Sequence, residues 1–335
     1  MSTVCQSRYS DLASYLLKFG LIPHTDRVAS MMFAIIDLGS NSFKMEISRV
    51  ANKGFKRIES FKTPVRFVSG IDANGRVNEK TRDAALACLR TFRAQLSHYA
   101  PNATIAVATE SFRRLSDDSA FLREAEHVLG QKITVLSGED EARYCYLGVD
   151  SLVGKAQRSR LVVDIGGGST QFIQGDLRGI QAAASVGLGC VVLSEAYFAD
   201  NTVDAARFSQ AVRAAEDQYK AACESVRADP SASCVGASGA FRTVLEASAD
   251  FGGSKEALAP IVVNTVIERL CARGAFSTED FANVPEDRHA VFTACTALVA
   301  AVFNASGARS ISVCKSGVRM GLLEHLYQRS QLAAL

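Results

Sequence analysis

Two short stretches of the 335-residue chain carry the residue types needed to hold a phosphate group. The sequence reads F-A-I-I-D-L-G-S-N-S-F-K-M-E-I at 33–47 and L-V-V-D-I-G-G-G-S-T-Q-F-I at 161–173. Each is an apolar strand running into a turn of small polar residues and out into a second strand. At one constant offset Asp37 maps onto Asp164, Gly39 onto Gly166, Ser42 onto Ser169 and Lys44 onto Gln171, which implies a duplicated domain. Glycine lets a ligand approach the backbone and permits positive φ, so that successive N–H groups of Gly39, Ser40, Asn41 and Ser42, and of Gly166, Gly167, Gly168, Ser169 and Thr170, can point at phosphate oxygens. The hydroxyls of Ser40, Ser42, Ser169 and Thr170 add donors. An aspartate beside bound phosphate needs a cation between them, so Asp37 and Asp164 imply Mg²⁺, or Mn²⁺ in its place. A single such turn is equally well a strained hairpin with a structural Asp; two in register point to chemistry.

Other segments supply further candidates. A strand at 105–108 leads into T-E-S-F-R-R, and the end of a strand is where Arg113 and Arg114 can reach a cleft, although two solvated arginines fit the stretch as well. After a strand at 133–136, S-G-E-D-E-A-R turns the chain into a helix near Glu139. Three acids in the first helical turn complement the helix dipole, which alone accounts for Glu141 as a surface residue. Lys315 and Arg319 precede or begin the last helix, where a helix-surface role is preferred over one facing a cleft.

The elements that must position these groups are readable from periodicity. A helix over 79–99 places Leu86, Leu89, Phe92, Leu96 and Tyr99 on one face, and another over 119–129 ends at Gly130. Helical spacing also marks 202–227, 255–273 and 288–303, a strand covers 310–313, and the segment at 317–330 is a closing helix that packs back near the first half of the chain. The division expected is an N-terminal extension at 1–31, whose Met31 and Met32 leave a misassigned start open, a first lobe at 32–147 and a second at 148–335, with a hinge at 147–159.

Composition bounds the partners. The chain has 37 Lys and Arg against 35 Asp and Glu, a formal net charge of +2, so no global field recruits nucleic acid or a membrane surface and any anion site must be built locally. Nine cysteines without a C-x-x-C pair cannot all form internal disulfides and read as reduced thiols of a cytoplasmic protein. The five histidines lack zinc spacing, and no uninterrupted apolar run reaches the length of a membrane span.

These segments, taken in order, resemble the exopolyphosphatase and guanosine pentaphosphate phosphohydrolase family of the actin, Hsp70 and sugar-kinase superfamily. The resemblance runs through D-L-G-S-N-S-F at 37–43, P-V-R-F-V-S-G-I-D-A-N-G at 64–75, A-T-E-S-F-R at 108–113, S-G-E-D-E-A-R at 137–143, D-I-G-G-G-S-T at 164–170, G-L-G-C-V at 187–191 and V-G-A-S-G at 235–239. It implies an α/β fold of two RNase-H-like lobes around a cleft, with Glu141 activating the attacking water, Asp164 holding magnesium and Arg113 binding phosphate. Gly236, Ser238 and Gly239 would bind phosphate through backbone amides. Lys44, Arg66, Arg113 and Arg143 are the cations expected to gather in the cleft.

Three positions depart from the family pattern: Gln171 where a carboxylate is usual, Asp117 where an asparagine is usual, and Ala240 where a threonine is usual. A neutral amide is no base and a weaker magnesium ligand, so Gln171 is expected to slow turnover, and Gln171→Glu to raise phosphate release. The activity expected first is a Mg²⁺-dependent exopolyphosphatase releasing orthophosphate from inorganic polyphosphate. The alternatives are removal of the 5′ terminal phosphate of guanosine pentaphosphate, or a polyphosphate or nucleotide sensor weakened by Gln171. A sugar kinase is disfavoured because S-G-E-D-E-A-R suits water attack. The resemblance is to a short form, expected to be without the C-terminal helical domain of longer members and so to prefer short phosphate chains; a homodimer is left open.

Overall fold

The apolar runs at the two repeats become the central strands of two sheets. The computed structural model describes residues 31–51, 54–116, 120–154 and 158–333, so the expectations for the N-terminal extension and for Asp117, and part of the expected hinge, lie outside the described residues. The first sheet is built from β1 (Met32–Leu38), β2 (Ser42–Ala51), β3 (Gly54–Pro64), β4 (Ala103–Ala108) and β5 (Ile133–Val135) in the order β3-β2-β1-β4-β5. The second comprises β6 (Arg160–Ile165), β7 (Thr170–Asp176), β8 (Gly179–Val186), β9 (Ser233–Ala237), β10 (Ala257–Leu258) and β11 (Ile311–Val313) in the order β10-β11-β9-β6-β7-β8. In both, three antiparallel strands are followed by two that run parallel to the first, the RNase-H-like arrangement; β10 is an added edge. The duplication is kept to the residue: Asp37 pairs with Lys44 across β1 and β2, and Asp164 with Gln171 across β6 and β7.

Among the described residues ten α-helices complete the fold: α1 (Glu79–Tyr99), α2 (Glu110–Arg113), α3 (Phe121–Leu129), α4 (Gly138–Val153), α5 (Cys190–Tyr197), α6 (Ala205–Ser225), α7 (Ser238–Ser248), α8 (Pro260–Arg273), α9 (Phe292–Ser306) and α10 (Val318–Ala333). Their ends follow local chemistry. Gly130 closes α3 in the left-handed conformation, the Ser137 side chain caps α4 by accepting from the Asp140 N–H, and Asp204 does the same for α6 from the Arg207 N–H. Two expected helices start late: α8 begins at Pro260 because Ala257 and Leu258 join the sheet, and α9 at Phe292 because Glu286–Val291 forms a 3₁₀ turn.

Leu86, Leu89 and Phe92 of α1 cover one face of the first sheet, against Ile36, Met45 and Phe43. α9 is buried among the helices of the second lobe with Phe172 and Tyr219. The stretch Glu286–Ser306 is long and apolar enough to cross a membrane, with 67% of its most apolar window buried inside the protein, as a core helix is.

The helices that follow the last parallel strand of each sheet change sides. Ala142, Cys145, Tyr146 and Val149 of α4 pack on Val162, Ile173 and Val235 of the second sheet, while Leu322, Leu323 and Leu326 of α10 pack on Phe33, Ile35 and Val107 of the first. The boundary expected at residue 147 therefore cuts a helix that packs as one piece on the second sheet. α4 and α10 also press on each other: a Cβ at Gly148 would overlap the Gly317 carbonyl, and one at Gly321 would overlap the Tyr144 carbonyl. Replacing Gly321 with Ala forces these helices apart, so Gly321→Ala should lose roughly 1–3 kcal/mol of stability, the usual cost of overpacking, measured as a lower urea midpoint. An unchanged midpoint would show that the crossing tolerates a methyl group.

Candidate active site

The two Gly/Ser turns meet at the floor of an inter-lobe cavity of about 510 Å³. A Cβ at Gly167 would lie 3.0 Å from the Asn41 nitrogen, and one at Gly168 would lie 2.6 Å from the Ser40 Oγ, so the second turn presents bare backbone to the first. None of Gly39, Gly166, Gly167 or Gly168 adopts positive φ, contrary to the expectation from composition; these glycines are required by close approach. The positive φ lies instead at Ser238 (75°), which opens α7 and whose hydroxyl donates to the Ile165 carbonyl at 2.8 Å. A non-glycine residue held there is strained, and it sits on the cavity wall.

Glu141, Asp37 and Asp164 all line this cavity. The first turn of α4 delivers Glu141, 7% exposed, and Cys145 one turn on approaches Asp164 from the same helix face. Burial pushes the Glu141 carboxyl up to about 8; Arg113 pulls against this shift and the nearby Asp164 charge adds to it. Burial also raises Asp164, opposed by the neighbouring Ser238 and Cys145 side chains and by the Lys44 charge.

Cations outnumber carboxylates around the cavity. Lys44, Arg57 and Lys62 come from the first lobe, Arg242 and Arg288 from the second, Lys315 from the segment leading into α10 and Arg319 from its first turn. Burial, with Arg319 beside it, lowers Lys44 to about 8. Lys62 reaches across the mouth to an ion pair with Asp287. Gly239 is glycine because the Arg288 guanidinium occupies the space of its Cβ; the Arg288 Nε is buried without a hydrogen-bond partner. Arg319 stands 3.9 Å from Asp37 and 3.4 Å from Glu46.

Several expected members lie elsewhere. Arg113 does not line the cavity: its guanidinium donates to Glu110 at 2.8 Å, to Glu141 at 3.1 Å and to the Leu136 carbonyl at 2.7 Å, behind the carboxylate it was expected to work beside. The Thr170 hydroxyl points into the second lobe, bonded to the Leu188 carbonyl and Tyr219. Gln171 is 1% exposed and donates to the Ser169 and Ser185 hydroxyls at 2.8 and 3.3 Å, so it holds the turn and does not face the cleft. Gly236 makes room for the Phe241 ring and lies outside the lining. Arg66 borders a different cavity, and Arg143 is exposed near Glu139. Lys315 and Arg319, assigned to a helix surface from sequence, line the cleft. Arg288 and Lys62 had no local signature; the small-residue run A-S-G-A at 237–240, which leaves space for Arg288, was the available hint.

The cavity suits a hard cation carried by a phosphate chain. Asp37 and Asp164 offer oxygen donors, the buried Ser42 Oγ has no partner, and no group of three His, Cys, Asp or Glu able to hold a metal occurs among the described residues. That is the donor set of a site where magnesium keeps water and substrate oxygens as ligands.

Two RNase-H-like lobes closing on a cleft floored by paired Gly/Ser turns give the chain an actin-like fold. The chain belongs to the Ppx/GppA phosphatase family, whose model matches residues 46–330. It is 32% identical over 294 residues to a guanosine-5′-triphosphate,3′-diphosphate pyrophosphatase of Aeromonas hydrophila, covering 88% of this chain and 59% of that protein, and matches the same enzyme of Aeromonas salmonicida equally. The chain thus spans 59% of the length of these relatives. Its fold is shared with an exopolyphosphatase from Cytophaga hutchinsonii (TM-score 0.77, 21% identity, 89% of this chain and 98% of that one). The Ppx/GppA family member from Aquifex aeolicus is similar (TM-score 0.73, 20% identity, 89% and 98%).

Glu141 ionises near 8 in the fold against an ordinary 4.5, so the folded state binds the extra proton between those values. Stability at this group therefore falls as pH rises through that window and is level above it. Without divalent cation, Glu141→Gln should melt above the parent at pH 9, with the gap narrowing by pH 5; equal gaps at both pH values would contradict a strained, buried carboxylate.

Proposed function

We propose that the chain hydrolyses the terminal phosphoanhydride of a guanosine polyphosphate, the 5′-triphosphate 3′-diphosphate, releasing orthophosphate. The observation that carries the reaction is the buried Glu141 carboxyl facing the cavity floored by both phosphate turns, beside Asp164. The 32% identity to two guanosine pentaphosphate pyrophosphatases supports the nucleotide over inorganic polyphosphate, reversing the order read from sequence.

Phosphoryl transfer to water asks the protein mainly for position and charge. Lys44, Arg288, Lys315 and Arg319 bind the phosphate chain, the turns hold its terminal group, and Glu141, once ionised, takes a proton from water aligned with the scissile bond. Its raised proton affinity makes it a stronger base than an exposed carboxylate. Asp37 and Asp164 would hold Mg²⁺, which supplies positive charge to the phosphate oxygens when bound. Gln171 was the ground for a non-turning sensor, and its place behind Ser169 favours a working site.

Phosphate release from guanosine pentaphosphate, tripolyphosphate and long polyphosphate tests this reading. Guanosine pentaphosphate should give the highest kcat/KM, and Glu141→Gln should lower kcat by about 100-fold or more. No release from any of the three, or an undiminished Glu141→Gln, would refute it.

A further inference from the structure

The register of the first sheet lays a row of charge from the cavity floor to its mouth. Asp37 lies opposite Lys44 across β1 and β2, and Lys44 lies opposite Lys62 across β2 and the edge strand β3. Two strand spacings of about 4.8 Å put the ends of this row roughly 10 Å apart. Like charges directly opposite each other on neighbouring strands repel, so Lys44 and Lys62 cost stability unless an anion joins them. The facing wall is cationic as well: Arg242 of α7 and Arg288 of the 3₁₀ turn Glu286–Val291 both line the cavity. Burial lowers Lys62 from its ordinary value, the Asp287 hydrogen bond opposes the shift, and the Arg288 and Arg242 charges add to it.

Among the described residues Asp287 is the one carboxylate paired with Lys62 and Arg288. It contacts the Lys62 ammonium, and its Oδ2 stands 3.7 Å from the Arg288 Nε. That distance is too long for a hydrogen bond, and the Arg288 Nε is buried without one. The Asp287 carboxyl is held below its ordinary value: burial works against the shift, and Lys62, Arg288 and Lys44 outweigh it. Asp287 is outside the cavity lining, so it meets the charge of the cleft from the rim. Its side chain and that of Lys62 are each 31% exposed, and an ion pair so open to water adds little to stability. The lobes are held by core packing, and the pair acts on what enters the mouth.

We infer that Asp287 is a built-in competitor of the substrate: its carboxylate holds the outer phosphate position, beside Lys62 and Arg288, until a phosphate chain displaces it. A phosphate group accepts from the same donors as a carboxylate and offers more oxygens, so it can satisfy the Arg288 Nε that Asp287 does not reach. The chain then binds less tightly than the cations alone would hold it, because the Lys62–Asp287 pair must first be broken. An anion held only weakly at the floor does not break it. The inference rests on the reading above that a phosphate chain occupies the cleft, and adds which residue limits its affinity.

Calorimetry with tripolyphosphate on the full chain, without divalent cation, tests this. Asp287→Asn should bind about threefold or more tighter than the parent, and Lys62→Met about threefold or more weaker. A pair that only fastened the lobes would move both variants the same way. Glu286→Gln removes the same charge from the exposed neighbouring residue and should stay within about twofold of the parent, because charges in open solvent are screened. Affinity that is unchanged or weaker in Asp287→Asn, that shifts in one direction in both partners, or that rises as much in Glu286→Gln overturns the inference, as does a parent that binds no tripolyphosphate. If guanosine pentaphosphate is still hydrolysed in any of those cases, the proposed activity stands. Opposite shifts in Asp287→Asn and Lys62→Met, in a chain that hydrolyses no nucleotide, support the inference and overturn the proposed activity.

Discussion

The crossing of α4 and α10 is the constraint on which the rest of the molecule depends. Each helix leaves one sheet and packs on the other, and they can touch only because Gly148 and Gly321 offer bare backbone to the facing helix. The Ser316 hydroxyl fastens the crossing by donating to the Gly148 carbonyl. The start of α4 carries Glu141, the start of α10 carries Arg319 and the segment leading into it carries Lys315, so one contact sets the proposed base and two cations on a common cavity. Core packing on both sheets fixes that contact far more firmly than any surface ion pair could.

Charge in the molecule is sorted by place. A chain with a net charge of +2 concentrates cations at the cleft and distributes acids elsewhere, which is how a nearly neutral protein can present a strong local field to a polyanion. Within the cleft the acids are placed against that field: Asp37 and Glu46 hold Arg319, and Asp287 holds Lys62 across the mouth. Arg113 is bound to Glu110 and Glu141 from behind, so it moderates the buried carboxyl from outside the cavity. Donors fixed in advance of the reaction do not have to reorganise when charge develops.

Much of the fold was legible in the sequence because the signals were local. The repeat at Asp37 and Asp164, the apolar face of α1, Gly130 at a helix end and Ser137 at a helix start each follow from neighbouring residues. The cavity was legible where it is made from the repeats and, through the family resemblance, at Glu141, Ser238 and Gly239. Arg288 and Lys62 come from separate segments and acquire their places through tertiary contact, which no spacing rule reports. Thr170 and Gln171 show the converse: they belong to the motif, but strand alternation and the packing of Tyr219 and Ser185 turn them inward. Arg66 and Arg143 were placed by their charge and their family motifs, neither of which says which way a side chain faces.

The central claim is that water, activated at Glu141, attacks the terminal phosphorus of a bound phosphate chain. Hydrolysis of guanosine pentaphosphate in ¹⁸O-labelled water, followed by mass spectrometry of both products, tests it most directly. The account predicts one ¹⁸O atom in each orthophosphate released and none in the nucleotide product. Label in the nucleotide, or phosphate passed to an added alcohol without label, would contradict it.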